Sequence, residues 1–121
     1  MTGARVAVLT PSGRGAVASL LVSDGVELID HHRLFEAANG RPLAAQDLGR
    51  ICYGFWGGDG HVLPNEQIVV CRTEESRVEL HCHGGAAAVQ RILDDLVESG
   101  AIRCDWVDLV AGSSGSSGSP T

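Results

Sequence analysis

The sequence predicts an α+β fold: a mainly antiparallel sheet with one well-defined amphipathic helix at about 86–99. Two observations carry that prediction. Short apolar runs rich in β-branched residues recur between turn signals, the pattern of strands joined by hairpins and short loops. One later stretch switches to helical spacing, with Val89, Ile92, Leu93, Leu96 and Val97 at i, i+3, i+4, i+7 and i+8. At 121 residues the chain is long enough for one domain with a modest core.

Ala4 to Leu9 is a short apolar run and reads as a first strand. Turn chemistry at 10–15 breaks it, and Ala16 to Val22 reads as a second strand. Ser23-Asp24-Gly25 is another turn signal. Val26 to Ala38 is ambiguous: Leu28, Ile29, His32, Leu34 and Phe35 would mark one face of a second helix, which Asn39-Gly40 would stop. Leu43 to Leu48 reads as loop or helical turn. Arg50 to Trp56 alternates as a strand, and Gly57 to Gly60 turns. Glu66 to Arg72 reads as the next strand and Thr73 to Ser76 as a loop. Val78 to His83 follows as a strand, Gly84-Gly85 as a sharp turn, and then the helix, with Gly100 suited to its C-terminal cap. Ala101 to Val107 reads as a last strand. Residues 1–110 are thus expected to form the domain, and 111–121, rich in Gly and Ser, a flexible tail or linker.

The formal net charge is -6, and all nine basic residues are arginines. Such an acidic chain carries no electrostatic footprint for wrapping nucleic acid by itself. No apolar run approaches the ~20 residues that span a bilayer, and the start lacks a signal-peptide core, so a cytoplasmic location is expected. Four widely spaced cysteines without a Cys-x-x-Cys pair read as reduced, largely buried thiols.

The stretch richest in chemistry is Val78-Glu-Leu-His-Cys-His-Gly-Gly85. On a strand, Glu79, His81 and His83 share one face, while Val78, Leu80 and Cys82 share the other. Imidazole and carboxylate suit zinc or iron, so a small metal-binding protein using His81 and His83 is one reading. The plainer reading is the solvated face of an edge strand. Cys82 points away from both histidines, which argues against a Cys/His nucleophile. Gly84-Gly85 leaves backbone N–H groups at a helix start, which favours anions. Gly13-Arg14-Gly15 reads either as a tight turn or as a loop bringing Arg14 to an anionic or planar ligand. It lacks the Gly-Lys-Ser/Thr ending of a P-loop, and no GTP hydrolysis is expected from this chain alone.

Two of these segments, in order, resemble one family. Thr10-Pro-Ser-Gly-Arg-Gly-Ala-Val-Ala18 is similar to the "TPPGRGGVG" opening of the tRNA-modification GTPases called TrmE or MnmE. Val78 to Gly85 is close to that family's "VEIHCHGG". Gln90-Arg-Ile-Leu93 with Gly100-Ala101 follows the family's helix, and Gly40-Arg-Pro-Leu43, Tyr53-Gly54 and Asp59-Gly60 fall among its middle strands. The resemblance spans residues 4 to about 103, the family's N-terminal domain. It implies a fold similar to folate-binding aminomethyltransferases, a homodimer, and a bound tetrahydrofolate derivative (5-formyl or 5,10-methylene). It also implies an FAD-dependent partner in modifying the wobble uridine of tRNA. Glu79 matches a carboxylate that contacts the folate; Arg14, His83, Gly84 and Gly85 are the other candidate cofactor contacts. No catalytic residue and no metal ligand is assigned. The sequence departs from the family at Leu21, where an arginine contacts folate, and at Arg72 to Ser76, where the family has "FTGED". The "PGEFTKRAFLNGKLDL" segment with its lysine, the helical domain and the GTPase domain have no counterpart in these residues. The expectation is a front fragment of a longer protein or a divergent stand-alone domain. The alternative to a ligand-binding module is a scaffold of the same fold without the ligand.

Overall fold

A computed structural model describes residues 3–9, 17–57, 66–83 and 85–109. Its strands are β1 (Arg5–Val8), β2 (Ala18–Ser23), β3 (Phe35–Ala37), β4 (Ile51–Trp56), β5 (Glu66–Glu74), β6 (Arg77–Cys82) and β7 (Ile102–Arg103). They form one sheet in the order β3-β4-β5-β6-β2-β1-β7. Every neighbouring pair is antiparallel except β1–β7, which is parallel. With helices α1 (Val26–His31) and α2 (Gly85–Glu98) and a 3-10 turn at Leu43–Ala45, this is the expected α+β class.

Alternation decides which face of the sheet is dry. Leu20 and Val22 of β2, Val70 of β5 and Leu80 of β6 are fully buried and pack in one cluster with Ile92 and Leu96 of α2. Burying each such aliphatic side chain contributes about 1.5–3 kcal/mol before the entropy of ordering is charged. Trp56 is also fully buried there, and its indole N–H donates to Asp95 Oδ2 at 3.0 Å. A buried indole N–H without an acceptor would be costly, which gives Asp95 a reason to lie on the inner side of α2.

A polar clamp closes one corner of this layer. Asp30 accepts from the N–H groups of Leu43 (2.8 Å) and Ala44 (2.9 Å), capping the 3-10 turn. Buried Arg72 donates to the carbonyls of Ala44, Gln46 and Glu75 at 3.0, 2.8 and 2.6 Å. The turn is thereby fixed to the β5–β6 hairpin.

Several local expectations are corrected. The helical face expected over Val26 to Ala38 ends at His31; Phe35–Ala37 instead pairs with β4 as an edge strand. Arg33, with φ of 54°, reverses the chain between them. The loop expected at Thr73 to Ser76 is narrower, because β5 runs on to Glu74 through an irregularity at Arg72/Glu74 and pairs Glu74 with Arg77. The strand expected over Ala101 to Val107 is two residues long, and residues 106–109 form a helical turn. Val97, placed on the apolar stripe of α2, is exposed, and Asp95 is buried instead. The four cysteines are free, with Cys52 and Cys82 buried and Cys71 and Cys104 partly so. The Gly/Ser-rich segment 111–121 and the turns at 10–15 and 58–60 lie outside the described residues.

Candidate functional site

Glu79 and His81 stand on β6, the fourth strand of seven, with β5 on one side and β2 on the other. The edge-strand reading of this segment is therefore corrected: its backbone is paired along both sides. Cys82 faces the core at 1% exposure, as alternation requires.

Register sets the neighbours. Glu79 lies between Leu21 of β2 and Cys71 of β5. His81 lies between Ser19 and Val69, and Tyr53 of β4 follows beyond Val69. The side chains of His81 and Glu79 are 31% and 36% exposed, and their Nε2 and Oε1 atoms are 3.3 Å apart. On its other side His81 Nδ1 is 2.8 Å from Ser19 Oγ. Both imidazole nitrogens thus have protein neighbours. Among the described residues no three His, Cys, Asp or Glu side chains are grouped to hold a metal ion.

Beside His81 the face is concave. Val17, Ile51, Tyr53, Val69, His81 and His83 are among the residues lining a hollow of about 420 Å³. Its walls are mainly apolar, and Tyr53 packs edge-on to Phe55 with centroids 6.1 Å apart. Val17, Ile51, Tyr53 and Phe55 are all exposed. An antiparallel sheet usually turns polar residues to solvent, so an apolar open face stands out on this one.

The expected site residues come together in part. Glu79 and His83 flank His81 along the chain, but His83 lies just past the end of β6 and is exposed. Gly85 opens α2 with φ of 69°, a left-handed value that only glycine adopts without strain. Arg14 and Gly84 lie outside the described residues. Two participants escape a reading of the sequence. Ser19 sits in an apolar run sixty-two positions before His81, and only the β2–β6 register joins them. Leu109 of the last helical turn covers Leu21 and Ala7 on this same face, forming a small second cluster. A polar residue at Ser19 in the middle of Ala18 to Val22 was the available signal for the first; nothing local marked the second.

Comparison with known proteins identifies relatives of the chain. No protein-family model matches the chain. A tRNA modification GTPase MnmE of Symbiobacterium thermophilum is 33% identical over 103 residues, which cover 78% of this chain and 22% of that protein. The MnmE of Listeria innocua is 34% identical over 102 residues, 78% of this chain and 21% of that protein. The MnmE of Geobacillus thermodenitrificans is 34% identical over 104 residues, 78% of this chain and 22% of that protein. The chain spans about a fifth of the length of these relatives. Aligned with these relatives over most of its own length, the chain belongs to the MnmE family as a counterpart of its N-terminal domain.

Proposed function

We propose that this domain is a binding and dimerising module of a tRNA-modification system, taking a tetrahydrofolate one-carbon derivative on the open face of its sheet. The observation that carries the reading is an apolar, aromatic-edged hollow of about 420 Å³ lined by His81, whose imidazole in turn touches Glu79. A pterin is planar and presents N–H and amino donors on one edge. Tyr53 supplies an aromatic wall for such a ring, and the Glu79 carboxylate supplies acceptors for the donors. A homodimer would cover the exposed Val17, Ile51, Tyr53 and Phe55. The FAD-dependent partner and the wobble-uridine substrate come to this chain through the family alone. Calorimetric titration with 5-formyltetrahydrofolate tests the ligand: saturable heat that weakens roughly tenfold or more in Glu79→Gln is expected. No heat at millimolar ligand would remove the folate. Sedimentation velocity across a concentration series tests the dimer, and a strict monomer removes that part.

A second reading has one specific observation in its favour. Leu21, which stands where the family carries a folate-contacting arginine, is buried under Leu109. A scaffold that kept the fold and the dimer surface but not the ligand accounts for that replacement. Folate heat in the parent protein that is insensitive to Glu79→Gln, or absent, favours the scaffold.

A further inference from the structure

Glu79 is not among the residues that line the hollow, whereas His81 is, and His81 touches Glu79. His81 therefore touches both the hollow and Glu79. Its two nitrogens are spoken for: Nδ1 by Ser19 Oγ at 2.8 Å and Nε2 by Glu79 Oε1 at 3.3 Å. A neutral imidazole carries one hydrogen, and a carboxylate can only accept. With the hydrogen on Nδ1, the bare Nε2 lone pair would face the carboxylate oxygen. With the hydrogen on Nε2, the ring donates to Glu79 and the Ser19 hydroxyl donates into Nδ1, so all three groups are satisfied.

We infer that His81 is the positioning residue of this site: the Glu79 carboxylate selects the Nε2–H tautomer, Ser19 holds the ring in place at Nδ1, and the Nε2–H orients the Glu79 carboxylate toward the ligand. The inference rests on the reading of Glu79 as the ligand contact. Oε1 is taken up by the imidazole and Oε2 is left for a donor of the bound molecule. Ser19 and His81 touch no ligand atom in this arrangement through a polar group; they act through Glu79. The strand pairing makes the device rigid, since Ser19 and His81 are direct cross-strand partners on two interior strands.

Two measurements on the whole chain test it. The first needs no ligand: long-range nitrogen–proton NMR of the imidazoles at about pH 8, where an ordinary histidine is neutral. The expected His81 signature is a bare Nδ1 and a protonated Nε2 in the parent and in Ser19→Thr, with a mixture of tautomers in Glu79→Ala. An Nδ1–H tautomer in the parent, or a spectrum unchanged by Glu79→Ala, overturns the inference. The second is calorimetry with 5-formyltetrahydrofolate. Ser19→Ala should weaken binding roughly three- to tenfold, the effect of one hydrogen bond, and Ser19→Thr, which keeps the hydroxyl, should restore it. Equal affinities in a folded Ser19→Ala, Ser19→Thr and parent overturn it. If the parent gives no heat, the folate reading has failed, and the imidazole spectrum alone then decides whether Glu79 sets the tautomer of His81.

Discussion

Leu21 tests the packing of the open face and its chemistry in one substitution. Leu21→Arg puts back the residue type that the family carries at this position. The parent side chain is 5% exposed and packs with Ala7 and Leu109, the latter fully buried. Removing it from that cluster forfeits about 1.5–3 kcal/mol of apolar burial. The arginine stem recovers part of this by lying along the same surface with its head in water. Its guanidinium would stand directly opposite Glu79, but Glu79 is more than a third exposed, so the new ion pair returns at most about 1 kcal/mol. Burial wins, and a net loss of about 1–2 kcal/mol is expected, a fall in Tm of roughly 5–15 °C for a domain of this size. Urea denaturation followed by tryptophan fluorescence measures it, since Trp56 is fully buried. Calorimetry on the same protein reads the second effect: a guanidinium beside Glu79 should tighten binding of a folate dianion roughly tenfold. A variant as stable as the parent would refute the packing of the 106–109 turn on Leu21. Weaker folate binding in a folded variant would refute the placement of the ligand at this face.

Three further outcomes follow from the core side. Arg72→Met should cost about 2–4 kcal/mol by denaturant melting, because three carbonyls lose a cationic donor and that of Gln46 is left buried; the exposed Thr73→Ala serves as the control and should change little. Gly54→Ala should cost on the order of 2 kcal/mol or more, since its Cβ would collide with the Glu36 carbonyl and come within 2.8 Å of the Phe35 ring; hydrogen exchange should show β3 loosening first. Burial pushes the Cys52 thiol above its ordinary value, so its share of stability is complete below the thiol pKa of the unfolded chain and is lost as pH rises through the raised one. Cys52 should accordingly react with iodoacetamide more slowly than Cys71 at mildly alkaline pH, as peptide mass spectrometry of timed samples would show.

Much of the fold was legible because simple periods dominate it. In β4, Cys52, Gly54 and Trp56 point inward and Ile51, Tyr53 and Phe55 outward, a clean alternation that names both faces. Helix α2 follows its apolar stripe except at Val97, where Asp95 takes the inner position to meet Trp56. That exchange needs knowledge of which indole lies opposite, and helical spacing does not contain it. The stretch after Gly25 defeats periodicity for another reason. Six helical residues and three strand residues are each too short to impose a period, and what separates them is the left-handed Arg33. For the site, the sequence places Glu79 and His81 on one side of a strand, but it does not say that the strand is central. Ser19 and Leu109 join the site only through register and tertiary packing, across 62 positions in the first case.

The two faces of the sheet explain why the short segment from Arg77 to Cys82 carries so much of the identity of this domain. Its inward residues, Val78, Leu80 and Cys82, sit in the middle of the core and tolerate little change in volume. Its outward residues occupy the centre of the open face, where paired strands on both sides hold backbone positions more firmly than an edge or a loop would. A carboxylate and an imidazole placed there have fixed neighbours at two-residue spacing. On one side of Glu79 that neighbour is now Leu21, capped by Leu109, and on the other it is Cys71. The apolar replacement lies beside Glu79 and not beside His81, which lines the hollow together with its cross-strand neighbour Val69. On the proposed reading a ligand of this face would be held from the His81 side, with the histidine linking the carboxylate to the hollow.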